Sequence, residues 1–223
     1  MSELDVIQEF YEKDRKEKID RYRILNEAVV KGQILFTGSS LMEQFPINEL
    51  LMTEKMDCII YNRGIGGFTT DDMLENMEVQ VFGTEPSKIF INIGTNDIST
   101  PTLTFEDALE HTITNYEKIL KQIKERLPET KVYMMAYYPV KEDAPIPDGP
   151  WGETMFKNRN NTNIPIANEA VKKLADKFGY TYIDVNNGLT DANGNLKEEY
   201  TIEGVHMYAN AYRCVLENLK KYL

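Results

Sequence analysis

A serine and a histidine of this 223-residue chain stand in a setting that nucleophilic catalysis requires. Ser40 follows a short apolar run that ends in Gly38 and Ser39, and His206 is one of only two histidines. A serine hydroxyl becomes a strong nucleophile when an imidazole takes its proton, and the imidazole needs a partner that fixes its tautomer. Glu203, three residues before His206, is the candidate for that third role. Together these residues predict acyl transfer.

Two further segments offer hydrogen-bond donors to the oxyanion of a tetrahedral intermediate. One is the glycine-rich sequence Asn-Arg-Gly-Ile-Gly-Gly that ends at Gly67, and the other is Gly-Thr-Asn-Asp, which contains Asn96. Backbone N–H groups and side-chain amides are the usual donors of an oxyanion hole. We therefore expect the N–H groups of Ser40 and Gly67 and the amide of Asn96 to fill this role.

Each of these segments, taken singly, also has a structural interpretation. A Gly-Ser-Ser turn after a strand is commonly a helix cap, and glycine-rich or Gly-Thr-Asn-Asp sequences are commonly tight turns. His111, the second histidine, falls within the exposed pattern of a long helix, so a solvated side chain is expected there. The order of the four segments and their predicted position at the ends of strands favour the catalytic interpretation.

The elements that must position these residues follow from hydrophobic patterning. Short apolar runs, rich in β-branched and aromatic residues, predict strands at 34–37, 58–61, 88–93, 132–138 and 180–185. Amphipathic or charged patterns predict helices at 3–29, 71–82, 105–127, 166–178 and 209–223. Such strands, separated by helices, belong in a parallel sheet covered on both faces. The predicted fold class is α/β, a three-layer α/β/α sandwich with five parallel strands, and ligands bind beyond the carboxyl ends of such strands.

Composition narrows the remaining choices. The chain is expected to form one domain, 1–223, with 1–30 as an N-terminal helical extension. Its net charge of -11, without a basic stripe, argues against nucleic acid as a partner. An acidic opening stretch and the lack of a long apolar run predict no stable membrane insertion and a cytoplasmic location. Cys58 and Cys214 lack the spacing of metal ligands and are expected to be buried thiols.

One long segment, 139–163, is predicted to be irregular and follows the fourth strand directly. It contains Trp151, the only tryptophan of the chain. Long loops in compact domains are commonly functional or disordered, so a mobile surface loop and a pocket wall are both open interpretations. Because the loop leaves the carboxyl end of a strand, we expect Trp151 to line the leaving-group side of a substrate pocket.

The four segments Phe-Thr-Gly-Ser-Ser, Asn-Arg-Gly-Ile-Gly-Gly, Ile-Gly-Thr-Asn-Asp and Glu-Gly-Val-His resemble the sequence blocks of the SGNH (GDSL-like) hydrolases, in the same order. The resemblance spans residues 36–206 and implies a flavodoxin-like sandwich. It also implies a serine nucleophile at Ser40, oxyanion donors at Gly67 and Asn96, and a base at His206. The sequences of the middle two blocks are most similar to those of the branch that contains platelet-activating-factor acetylhydrolase-like and lysophospholipase-like esterases.

The chain departs from the family pattern at two positions. Ser39 stands where the family usually has Asp, which is not a triad member, so local hydrogen bonding should change more than the mechanism. Glu203 stands where the family has Asp and is one methylene longer, so a shifted backbone is expected if its carboxylate is to reach Nδ1 of the imidazole. Because of these two departures, a protein that kept the fold but lost catalytic activity stays open as an alternative.

The predicted function is hydrolysis of small carboxylic esters, with an acetyl or short acyl group, without a metal or organic cofactor. The oligomeric state and the natural leaving group stay open. A carbohydrate O-acetylesterase is the alternative within enzymes, because it shares the same blocks. A binding protein that kept the fold and lost turnover is the alternative of another class. A nucleotide binder is disfavoured because no phosphate loop of the Gly-x-x-x-x-Gly-Lys kind follows any strand.

Overall fold

Five parallel strands form one sheet in the computed structural model, which describes residues 3–145, 152 and 154–223. The strands are β1 (Ile34–Gly38), β2 (Ile60–Asn62), β3 (Lys88–Asn92), β4 (Lys131–Met135) and β5 (Thr181–Ile183). Their order in the sheet is β2-β1-β3-β4-β5, and every neighbouring pair is parallel. The predicted α/β class is confirmed, and β1, which leads to Ser40, lies inside the sheet.

Helices cover both faces of this sheet. They are α1 (Glu3–Asn26), α2 (Ser40–Glu43), α3 (Ile47–Thr53), α4 (Thr70–Glu75), α5 (Met77–Gln80), α6 (Thr95–Ile98), α7 (Phe105–Arg126), α8 (Asn163–Phe178) and α9 (Ala209–Leu219). Short 3₁₀ turns occupy Phe82–Thr84, Glu198–Tyr200 and Lys220–Tyr222. Across the described part of the chain, none of the helices is both long and apolar enough to cross a membrane.

The strands divide the apolar core into two halves because their side chains alternate between the faces. Leu35 and Ile91 pack on one side, in a cluster that also contains residues of α4, α5, α7 and α8. Phe36 and Phe90 pack on the other side, in a cluster that also contains residues of α2, α3 and α9. The second half therefore joins the helix that starts at Ser40 to the C-terminal helix that follows His206.

The boundaries of several elements differ from the sequence prediction. The helix predicted over 71–82 is two helices, α4 and α5, which meet at Asn76. The fourth strand, predicted to reach residue 138, ends at Met135. The strand ends because the backbone of Tyr137 makes hydrogen bonds to side chains and not to a neighbouring strand. Its N–H donates to the side chain of Asn168, and its carbonyl accepts from the side chain of Asn186.

The segment after β4 is packed in its described parts. Val140 and Met155 are buried, and the side chain of Asn158 donates to the carbonyls of Thr100 and Leu103. The backbone N–H of Lys141 donates to the carbonyl of Gly204, 2.8 Å away. These parts form a packed wall beside the loop of Glu203 and His206. Trp151 lies outside the described residues.

Gly38 is the position where β1 turns toward Ser40. A substitution there tests the close approach of β1 and β3. Its φ is +149°, and a Cβ there would lie 2.0 Å from the carbonyl oxygen of Asn92 on β3. Gly38→Ala should therefore lower the free energy of unfolding by about 2–4 kcal/mol, through overpacking and backbone strain. Gly32→Ala is the control, because Gly32 also has a positive φ, +78°, but has open space around it.

Urea unfolding of the two variants measures the difference. Gly32→Ala should lose only about 1 kcal/mol, the cost of the left-handed backbone alone. Equal losses in the two variants would contradict the close approach of β1 and β3 at Gly38.

Candidate active site

Ser40 lies at the carboxyl end of β1, as the first residue of α2. The preceding residue, Ser39, donates its backbone N–H to the carbonyl of Asn92 on the adjacent strand. Ser39 is buried, whereas Ser40 is half-buried. The helix that begins here has only four residues, so its dipole contributes little to anion binding. Ser40 thus depends on neighbouring side chains for activation.

His206 and Glu203 complete a hydrogen-bonded chain with Ser40. The Nε2 atom of His206 lies 2.9 Å from Oγ of Ser40, although the two residues are 166 positions apart. The Nδ1 atom of His206 lies 2.5 Å from Oε1 of Glu203. A serine hydroxyl, an imidazole and a carboxylate in this order form the geometry of a catalytic triad. The structure brings together all three residues that the sequence assigned to the triad.

The longer side chain of Glu203 is accommodated by the turn that it shares with His206. Oε1 of Glu203 also accepts the backbone N–H of His206, at 3.0 Å. The same turn is closed by Thr201, whose hydroxyl donates to the carbonyl of His206 and accepts from the N–H of Gly204. One carboxylate oxygen therefore fixes both the backbone and the ring of His206, so the extra methylene does not prevent the contact.

The charge of a buried arginine acts on this carboxylate. Arg159, on the segment between β4 and α8, is only 5% exposed, and burial lowers its pKa to about 10 against the opposing charge of Glu203. Burial alone would raise the pKa of Glu203, but the hydrogen bond from His206 and the charges of His206 and Arg159 hold it below its ordinary value. Glu203 is therefore ionised at neutral pH, as the orienting role requires. The sequence offered no signal for Arg159 beyond its place in the loop.

Contacts connect the predicted oxyanion donors to the loop beside Ser40. The side-chain amide of Asn96 donates to the carbonyl of Phe68, 2.9 Å away, which ties Asn96 to the loop that contains Gly67. A Cβ built on Gly66 would lie 3.8 Å from the Cβ of Ser40, so this loop runs directly beside the predicted nucleophile. Neither Ser40 nor Gly67 uses its backbone N–H in a hydrogen bond to another described residue. Both N–H groups are available to a ligand.

The residues behind Asn96 form a separate polar cluster. Asp97 is buried and accepts hydrogen bonds from the backbone and hydroxyl of Thr70, the first residue of α4. His111 is exposed, as predicted, but its Nε2 lies 2.6 Å from Asp71. The carboxylates of Asp71 and Asp97 and the imidazole of His111 come within 4.8 Å of one another, the one such group of metal-ligand side chains found where the chain is described. Their hydrogen bonds to each other and to neighbours give them a structural role in joining α4, α6 and α7.

A cavity of about 400 Å³ lies at the ends of β4 and β5, next to α8. Its walls include Tyr137, Asn168, Lys172 and Asp184. None of the residues of the Ser40–His206–Glu203 chain lines this cavity. Hydrogen-bond geometry, and not the size of a cavity, therefore locates the candidate active site at the ends of β1 and β3.

A parallel α/β sheet with a Ser–His–Glu chain beyond its strand ends has the arrangement of residues that serine hydrolases use. Residues 49–214 match the GDSL-like Lipase/Acylhydrolase family. The chain belongs to this family.

Solved structures with the same fold support this assignment. A protein of Streptococcus pneumonia, described as a candidate platelet activating factor, is 31% identical with a TM-score of 0.84, and the match covers 98% of this chain and 97% of that one. A candidate acylhydrolase of Bacteroides fragilis is 21% identical with a TM-score of 0.72, over 91% of this chain and 94% of that one. The second likeness concerns the fold alone.

A curated relative is longer than this chain. The N-acylneuraminate cytidylyltransferase of Escherichia coli O18:K1:H7 is 26% identical over 217 residues. The match covers 93% of this chain and 46% of that enzyme. The chain thus spans about half the length of the curated relative it matches.

Substitutions of Glu203 test the carboxylate contact. Glu203→Gln should lower kcat by roughly 10²- to 10⁴-fold, because an amide can hold the imidazole in the wrong tautomer. Glu203→Asp should lower kcat by about tenfold or more, because one oxygen can no longer reach both Nδ1 and the backbone N–H of His206. Steady-state hydrolysis of an activated acetyl ester measures both.

Glu199→Gln is the matched control, since Glu199 is exposed on the preceding 3₁₀ turn. It should keep the wild-type rate. Near-wild-type kcat in both Glu203 variants would mean that Ser40 and His206 act as a dyad.

Proposed function

We propose that this protein is a serine esterase that hydrolyses small carboxylic esters through an acyl-enzyme intermediate. The observation that carries the proposal is the continuous hydrogen-bonded chain from Ser40 through His206 to Glu203. The pKa of Glu203, held low by His206 and Arg159 against the effect of burial, adds support, because the imidazolium formed during catalysis needs an ionised partner.

The first half-reaction transfers the acyl group to the enzyme. Oγ of Ser40 attacks the ester carbonyl carbon while its proton passes to Nε2 of His206. The carbonyl oxygen becomes an oxyanion that the N–H groups of Ser40 and Gly67 and the amide of Asn96 stabilise. The C–O bond to the leaving group then breaks, and the proton on Nε2 moves to that oxygen, which departs as an alcohol.

The second half-reaction returns the enzyme to its starting state. A water molecule gives its proton to Nε2 of His206 and attacks the acyl carbon on Ser40. The same oxyanion donors stabilise the second tetrahedral intermediate. Collapse releases a carboxylic acid, and the proton on Nε2 returns to Oγ of Ser40. Glu203 stays ionised throughout and orients the imidazole in both steps.

The proposed substrate carries an acetyl or short acyl group, and its alcohol is derived from a lipid or another small molecule. The Streptococcus pneumonia protein supports the lipid-derived class through its description as a platelet activating factor. A carbohydrate O-acetylesterase is the second candidate, favoured by the curated relative whose name carries a sugar, N-acylneuraminate. A binding protein without turnover, which the departures at Ser39 and Glu203 suggested, has less support, since Glu203 reaches His206.

A panel of esters tests the proposed function. Purified protein should hydrolyse p-nitrophenyl acetate, with kcat/KM falling as the acyl chain lengthens. Ser40→Ala should lower kcat/KM for every ester by roughly 10³-fold or more, because the nucleophile is lost.

The panel should also contain an acetylated phospholipid, an acetylated xylo-oligosaccharide and an O-acetylated N-acylneuraminate. A preference for a sugar ester over the lipid ester would favour the second candidate. Hydrolysis that survives in Ser40→Ala, or its absence with every ester, would overturn the proposal.

A further inference from the structure

Residues 64–68, which we call the oxyanion loop, place two adjacent glycines beside the proposed nucleophile. The peptide group between Gly66 and Gly67 carries the N–H that the proposed function assigns to the oxyanion. Glycine has the widest range of backbone conformations, so a peptide between two glycines is the easiest in a chain to rotate. Rotation of this peptide would turn the N–H away from the oxyanion. Something outside the loop must therefore hold it.

Two charged side chains hold this peptide from its two sides. Oε2 of Glu43 accepts the N–H of Gly66 at 2.6 Å, and Nη2 of Arg15 donates to the carbonyl oxygen of Gly67 at 3.0 Å. Both bonds involve an ionised group, and such bonds are shorter and stronger than neutral ones. The two anchors fix the backbone before and after the 66–67 peptide, so its N–H is left as the unpaired donor.

The glycines are needed for this approach. Gly67 has a φ of +73°, and a Cβ there would lie 2.5 Å from Nη2 of Arg15. A Cβ on Gly66 would lie 2.8 Å from Oε2 of Glu43. Side chains at these two positions would therefore push both anchors away, which links the Gly-Gly sequence to the charges that hold it.

Helix α1 supplies further contacts on the same face. Lys18 lies 2.8 Å from Oε1 of Glu43, the oxygen that Gly66 does not use. The hydroxyl of Tyr22 donates to the carbonyl of Gly64, at the start of the oxyanion loop. Arg15, Lys18 and Tyr22 are spaced by three and four residues, so they project from one side of the helix. This side of the predicted N-terminal extension thus faces the oxyanion loop.

We propose that Arg15 is a positioning residue for catalysis, which orients the N–H of Gly67 toward the oxyanion. This inference rests on the proposed function. The side chain of Arg15 is 35% exposed, so its contacts add little to the free energy of unfolding. Transition-state stabilisation, in contrast, depends steeply on the direction of each donor. Arg15 should therefore affect turnover more than stability or substrate binding.

Arg15→Met is the direct test, because methionine keeps the apolar stem and removes every donor. With p-nitrophenyl acetate, kcat should fall by roughly 10- to 100-fold while KM changes by less than about twofold. Arg15→Lys should restore part of kcat, because an ammonium can still donate to Gly67. Arg21→Met is the matched control: Arg21 is exposed on the same helix and has no bond to the oxyanion loop, so kcat should be unchanged.

Glu43→Leu removes the second anchor and gives a test that does not depend on how Arg15→Met folds. It should show the same selective loss of kcat, with thermal unfolding measured alongside for every variant. Wild-type kcat in Arg15→Met and Glu43→Leu, or a rise in KM with kcat unchanged, overturns the positioning role. Full activity in Ser40→Ala would instead overturn the proposed function, so the two failures are distinguishable.

Discussion

The hydrogen bond between Oγ of Ser40 and Nε2 of His206 is the constraint on which the rest of the site depends. It joins residues 166 positions apart, so the fold must place the end of β1 and the loop before α9 within 2.9 Å. Tyr212 on α9 secures this placement: its hydroxyl donates to the carbonyl of Leu41, the residue after Ser40, and its ring packs 4.7 Å from that of Phe45. The core half that contains α2 and α9 thus sets the distance between base and nucleophile.

Oppositely charged side chains lie near the triad and near the oxyanion loop. Lys18 lies 2.8 Å from Glu43 beside the oxyanion loop, and the charges of Arg159 and Glu203 act on each other beside the triad. Such groups are costly to leave unpaired when buried, so they also limit where neighbouring backbone can move. A backbone hydrogen bond also restrains the turn that contains Glu203 and His206: in the wall after β4, the N–H of Lys141 donates to the carbonyl of Gly204. The reacting groups are held by contacts from distant parts of the chain.

Much of this arrangement could be predicted from the sequence, because local patterns encode it. Apolar runs predicted all five strands. The strand-end sequences and the turn before the last helix supplied the candidate residues Ser40, Gly67, Asn96, Glu203 and His206, of which the structure joins Ser40, His206 and Glu203 by hydrogen bonds. Arg15 and Glu43 could not be predicted, because each bonds a backbone group 52 or 23 positions away and such contacts leave no periodic trace. The break at Asn76 and the four-residue helices were missed for a related reason, since they are shorter than the periodicity that signals a helix.

The central claim is that Ser40 carries the acyl group between two half-reactions. Rapid mixing of the enzyme with p-nitrophenyl acetate, followed by acid quench and mass measurement of the intact protein and its peptides, tests it most directly. With deacylation slower than acylation, we expect a burst of about one p-nitrophenolate per chain and an acetyl group on the peptide that contains Ser40. Glu203→Gln should form the same acetyl-enzyme more slowly. Acetylation at another residue during turnover, or turnover by Ser40→Ala at the wild-type rate, would contradict it.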